Sequence, residues 1–277
     1  MATRTAAVAL VVLLAGCSLL GGGTGAETGT VTPLEVPTET TEGPTLPPGV
    51  TGAGVVDVDA LVRAHVRAAA STSYVWVDRE RRFYGNGSSL VSFERRVTFV
   101  NGTTYHRVLD PRPMFARGVY DRPRDKQRYA DGRWLYRFGD STSAEPAYRV
   151  EPATDASRRL ARLSGESVGI YLAVPNATVS VTRVDGRRYY EVTAHRDRYP
   201  IAIPLVGDVY DYSVEAVVAP SGFVGRLNAT YRTDPEGGAN RVRYSFAFTE
   251  VGSATLTEPP WLPAARARTD PTATAAP

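Results

Sequence analysis

The chain is 277 residues long, 43% hydrophobic and 22% charged, with a formal net charge of +3 and a single cysteine. One cysteine excludes an internal disulfide framework, so the fold must be held by packing. The histidines, His65, His106 and His195, are too far apart in the chain to set two metal ligands on one face of an element.

The N-terminus opens with one basic residue, Arg4, followed by an uncharged apolar run from Ala6 to Gly16. That run is too short to span a bilayer as a mature helix and has the layout of a secretory signal. Leu14-Ala15-Gly16-Cys17 resembles a lipobox, with small residues before a cysteine whose thiol receives the lipid. The expected signal peptide is therefore 1–16, with Cys17 as the lipidated first residue on the outer face of the cell membrane. Residues 17–53 are rich in Gly, Thr, Pro and Glu and poor in large apolar side chains, the composition of a flexible tether. As a random coil of some 36 residues it would reach roughly 30–35 Å.

One domain is expected over 54–262. Asp57 is placed to cap a helix through "VDALVRAHVRAAAS", where Val58, Leu61, Val62, His65, Val66 and Ala69 recur at helical spacing. From Ser73 the period changes to two, in "SYVWVDRERRFY", "SLVSFERRVTFV" and "TTYHRVL", joined by Asn-Gly turns. "KQRYADGRWLYRFG" reads as a hairpin on Asp131-Gly132. A second helix is predicted over "TDASRRLARLSG", with Gly165 as its stop. Strands then resume in "SVGIYLAV", "TVSVTRVDGRRYYEVTAH", "DYSVEAVVAPSGFVGRLNATYRT" and "RVRYSFAFTEVG", and residues 263–277 read as a disordered polar tail. The fold class is α+β: a large curved antiparallel sheet or open half-barrel, covered on one side by two helices.

Asn86, Asn101, Asn176 and Asn228 all stand in N-x-Ser/Thr acceptor patterns, and Asn240 does not. They are the candidate glycosylation sites of an exported chain. "RYPIAIPLVGDVY" carries two prolines and a glycine, which bar it from a regular central strand. Its Ile201, Ile203, Leu205 and Val206 are too apolar for an ordinary solvent loop. The segment is a candidate flap over a ligand, an interface loop or a packed corner.

The lipobox "LAGCS", the Thr/Pro tether, "DALVRAHVRAAASTSYVW", "DGRWLYRFG" and "YSFAFTEVGSATLTEPPWLPAA" together resemble a group of haloarchaeal surface lipoproteins. The order helix, strands, helix, strands is similar to the half-barrel carriers of the LolA/LppX-like fold. The resemblance implies a lipid or other hydrophobic ligand held under the helices.

No catalytic constellation accompanies this layout. There is no Gly-x-Ser-x-Gly elbow, and an acylated Cys17 has no free sulfur to act as a nucleophile. Asp121 with Asp125, and Asp208 with Asp211, lack the ligand density of a calcium loop and read as solvated charge. The three histidines read as partly exposed framework residues. The expectation is a protein that is not an enzyme and has no metal or cofactor.

Charge is uneven along the chain: Arg79 to Arg137 holds fourteen basic and six acidic residues, interleaved with aromatics. Export argues against nucleic acid as the partner, leaving anionic headgroups or another envelope polyanion. Outward arginines that keep a sheet soluble and blunt its edges account for the same pattern. Two functions follow: a monomeric, membrane-anchored binder of a lipid or hydrophobic ligand, or a surface interaction module with no small ligand. A binder of the first kind needs an apolar cavity of roughly 300–1,000 Å³.

The anchor is directly testable. Cys17→Ser should shift the protein from the membrane fraction to the medium, or leave it unprocessed, with the domain's thermal melt unchanged. Normal processing with equal membrane retention would contradict the lipobox assignment.

Overall fold

The computed structural model describes residues 45–55, 57–111, 125–139, 147–199, 208–233 and 240–269. Cys17, the signal, most of the tether and the candidate flap residues Ile201, Ile203, Leu205 and Val206 lie outside the described residues.

Two short strands, β1 (Val50–Thr51) and β2 (Gly54–Val55), pair with each other ahead of helix α1 (Val58–Ala70). Asp57 caps α1 through its side chain, which accepts the Ala60 N–H at 2.8 Å. A six-strand meander follows: β3 (Tyr74–Phe83), β4 (Ser89–Asn101), β5 (Thr104–Pro111), β6 (Gln127–Asp131), β7 (Trp134–Gly139) and β8 (Ala147–Pro152). Helix α2 (Ser157–Leu172) then leads to a second meander of β9 (Thr178–Val184), β10 (Arg187–Arg198), β11 (Val209–Val218), β12 (Val224–Thr233) and β13 (Asn240–Thr249).

Pairing of β13 with β3 joins the two meanders into one 11-stranded antiparallel sheet. Its order is β8-β7-β6-β5-β4-β3-β13-β12-β11-β10-β9, so the sheet is open, with β8 and β9 at its edges. Helix α2 is the connection between those two edge strands and must cross the sheet to make it.

Alternation along the strands puts Tyr74, Trp76, Val97, Phe99 and Tyr105 on the face covered by α1 and α2, where they form one core with Leu61, Leu160 and Val168. The helices approach closely at Gly165, where a Cβ would lie 2.6 Å from Val66 Cγ2. Gly165 is thus a contact point and not a stop. Helix α2 runs through it to Leu172, and "SVGIYLAV", expected as a strand, is mostly helix. Tertiary packing overrides the local glycine penalty of about 1 kcal/mol. Two sheet tyrosines satisfy the last carbonyls of α2: Tyr199 Oη donates to Ile170 O at 2.7 Å and Tyr212 Oη to Tyr171 O at 2.5 Å.

Both ends of the domain extend past their expected limits. Pro47 and Val50 are buried, and Tyr190 Oη donates to Thr45 O at 2.9 Å, so residues 45–53 pack on the domain and do not continue the tether. At the other end, a third helix, α3 (Leu262–Thr269), replaces the start of the expected 263–277 tail. It packs on the outer face of the sheet, with Leu262 and Ala265 fully buried against Tyr129 and Tyr136. Trp261 stacks on Phe138 at 5.4 Å, and its Nε1 donates to Gln127 Oε1 at 2.6 Å. The helix has almost no amphipathic signal of its own; two small apolar residues and one tryptophan dock it.

His65 corrects another expectation, since it is fully buried and not partly exposed. Its Nδ1 accepts the Val224 N–H at 3.1 Å, which leaves the proton on Nε2, 2.8 Å from Ser164 Oγ. Ser164 in turn donates to Ala161 O at 3.0 Å. One neutral imidazole therefore ties α1 to α2 and to the start of β12, stacked on Phe223 at 5.5 Å.

Burial pushes the His65 pKa down to about 4. The unfolded chain then binds a proton that the folded chain refuses between pH 6.5 and about 4. Stability from this site is complete above pH 6.5 and should fall by about 3 kcal/mol as pH drops through that window. Urea titrations of the wild type and His65→Phe across pH 4–7 read this directly. The variant should be less stable at pH 7 and should lack that increment of acid sensitivity. Parallel pH profiles would contradict the assignment.

Candidate functional site

The register of the first meander places a row of arginines on the inner face. Trp76 pairs with Val97 and Val97 with Arg107. Arg107 pairs with Arg128, Arg128 with Arg137 and Arg137 with Arg149. These four arginines share the face of Tyr105, Ala130 and Leu135, the side on which α1 and α2 lie. Like charges directly opposite each other across a ladder repel.

Asp125 offsets part of that charge. Its side chain is only 8% exposed and accepts from Arg128 at 3.0 Å and Arg137 at 3.1 Å, with Arg149 at 3.7 Å. Glu151 takes a second contact from Arg137. The reading of Asp125 as solvated charge is therefore corrected: it is the buried counter-ion of three arginines. Asp121 lies outside the described residues, while Asp208 and Asp211 are exposed partners of Arg198 and Arg232.

Arg107 has no ion pair among the described residues. Burial, then the neighbouring Arg128 and Arg95, push its pKa down to about 10. The Nε atoms of Arg107, Arg128 and Arg137 are buried and find no hydrogen-bond partner among the described residues.

One step along the strands, Asp78 pairs with Arg95, and Arg95 with Leu109. Asp78 is 1% exposed and accepts Arg95 Nε at 3.0 Å and Nη2 at 2.8 Å. Burial holds the Asp78 carboxyl above the usual range, against the pull of Arg95. The Arg95 guanidinium lies over the Trp76 ring at 4.6 Å. Beyond this pair the inner face carries Phe93 and Leu109, which are half-buried and do not join the core.

The other sequence candidates are dispersed. His106 is half-buried on the outer face, with Nε2 3.1 Å from Gln127 Oε1, and His195 is exposed on β10. Among the described residues no group of three or more His, Cys, Asp or Glu could hold a metal ion. Asn86, Asn101, Asn176 and Asn228 are all exposed. The first two sit in hairpin turns, and Asn228 points outward from the middle of β12. Two clefts of about 290 and 350 Å³ lie on the outer face, lined mainly by polar residues such as Arg96, Thr98 and His106 in one and Arg79, Arg81 and Arg243 in the other.

Sequence reasoning found the basic segment but not its division between faces. Arg79, Arg81 and Arg96 point outward, whereas Arg95, Arg107, Arg128 and Arg137 point inward. Alternation within each strand carried half of that signal; the pairing register, which aligns the row, is not readable from spacings in the chain.

No family model matches this sequence, and no curated protein matches it. Among solved structures, LprF from Mycobacterium bovis is similar over 76% of this chain and 99% of its own, at 15% identity and a TM-score of 0.33. The lipoprotein LppX from Mycobacterium tuberculosis is similar over 73% of this chain and 98% of its own, at 14% identity and a TM-score of 0.32. A LolA superfamily protein from Nitrosomonas europaea is similar over 72% and 94%, at 10% identity and a TM-score of 0.24.

Proposed function

We propose that this protein is a non-catalytic, lipid-anchored binding protein on the outer face of the cell membrane. In this reading it carries a lipid or other hydrophobic ligand along the inner face of its half-barrel. Cys17 supplies the anchor and the Thr/Pro segment the reach. Ile201, Ile203, Leu205 and Val206 form a flap over the ligand.

The observation that carries this reading is that the inner face outruns its cover. Helices α1 and α2 bury the core, yet Phe93 and Leu109 continue the same face outside it. A large apolar side chain such as Phe gains about 1.5–3 kcal/mol when fully buried, so a half-buried strip beside a packed core is a seat for apolar surface.

A second reading, an interaction module with no small ligand, draws on the way Trp76, Tyr105, Tyr212 and Tyr231 fill the space under the helices. On that reading the outer-face clefts, with their polar linings, are where a partner would sit.

Native mass spectrometry of the protein released from its own membrane separates the two. The carrier reading expects co-purifying lipid, which the double substitution Ile201→Asp, Ile203→Asp should remove while thermal stability changes little. Lipid-free wild-type protein, together with a large loss of stability in the variant, would favour the packed module.

A further inference from the structure

We infer that the arginine row of β5–β7 is the seat of a phosphate-type oxyanion, the headgroup of an anionic lipid whose chain lies toward Phe93 and Leu109. This rests on the carrier reading above and names the class of ligand.

Charge is the first ground. Arg107, Arg128, Arg137 and Arg149 stand directly opposite one another, and among the described residues Asp125 and Glu151 alone offset them. Arg128 and Arg137 are largely buried while Arg149 is exposed, and Asp125 is already shared by these three. Among the described residues Arg107 has no counter-ion of its own.

Donor geometry is the second. Buried polar hydrogens without acceptors are uncommon in folded proteins, and among the described residues four lie on this face, the Trp76 Nε1–H and the Nε–H groups of Arg107, Arg128 and Arg137. A guanidinium offers Nε–H and Nη–H as a planar fork that fits two oxygens of one phosphate. An oxyanion between Arg107 and Arg128 would accept from the Nε–H groups of both and add the missing negative charge in one step.

The surroundings of the row specify a lipid. Leu109 is the next inner residue after Arg107 on β5 and Phe93 lies beyond it on β4, both half-buried, while Val97 and Trp76 in the Arg107 row are already buried in the core. A headgroup on the row therefore has apolar surface on the adjoining strands of the same face. Free phosphate would use the arginines and leave that surface unused.

The test uses the full chain and three probes: dihexanoyl phosphatidic acid, inorganic phosphate, and dihexanoylglycerol, which has the same chains without charge. Phosphatidic acid should bind, and Arg107→Gln or Arg128→Gln should weaken it by about tenfold or more, the loss expected for a charge-assisted pair. Arg107→Lys, which keeps the charge should Gln prove unstable, should also weaken it, because an ammonium cannot form the fork. Arg81→Gln, on the outer face, should bind as the wild type does. Inorganic phosphate should bind more weakly than phosphatidic acid by at least about tenfold, having no chain to bury.

Unchanged phosphatidic acid affinity in Arg107→Gln, or an equal loss in Arg81→Gln, overturns the inference. Inorganic phosphate binding as tightly as phosphatidic acid overturns the assignment to a lipid. If both lipids bind equally to the wild type and to Arg107→Gln, the arginine inference fails and the carrier reading stands. If neither lipid binds, both fail.

Discussion

An open sheet of 11 strands must bury one face against something other than itself. That constraint organises the chain. The segment joining the two edge strands has to cross the sheet, and helix α2 is that crossing, so one connection also supplies half the cover. Helix α1 lies beside it, brought in at Gly165 and tied by His65 to both α2 and β12. Hydroxyls of Tyr199 and Tyr212 hold the far end of α2 to the sheet. The cover is tied to the sheet by these hydrogen bonds where it exists, and the inner face beyond it is left to the residues that line it.

Much of this was legible in the sequence because it is local. Period-two alternation marked the strands, and Asn101-Gly102 and Asp131-Gly132 marked their turns. Asp57 marked the first cap. The misreadings share a cause, which is tertiary contact that local pattern does not encode. Gly165 looked like a stop because a glycine's local effect is to weaken a helix, whereas here it permits a close crossing. Helix α3 was hidden because its docking rests on Trp261, Leu262 and Ala265 against β6 and β7 and not on amphipathic spacing. His65 did lie on the predicted apolar stripe of α1; what could not be read was that Val224, 159 residues away, completes its hydrogen bonding.

The candidate site shows the same limit more sharply. Arg107, Arg128, Arg137 and Arg149 are scattered over three connections of different length, so their alignment depends wholly on register. Asp125 belongs to the same case, since a carboxylate in a loop reads as solvated until three guanidiniums are placed around it. The two faces divide accordingly. The outer face carries paired surface charges, the exposed Asn228 and α3. The inner face carries an aromatic core that gives way to partly buried positive charge. That gradient from apolar to cationic along one face matches the two ends of an anionic lipid.

The tryptophans report on this gradient. Trp76 is on the inner face between Phe246 and Arg95, whereas Trp134 and Trp261 are on the outer face beside α3. Fluorescence of single-tryptophan variants, titrated with an anionic phospholipid brominated in its acyl chains, tests the central claim that ligand lies along the inner face. The account predicts quenching of Trp76 with little change at Trp134 and Trp261. Quenching confined to the outer tryptophans, with Trp76 unaffected, would contradict it.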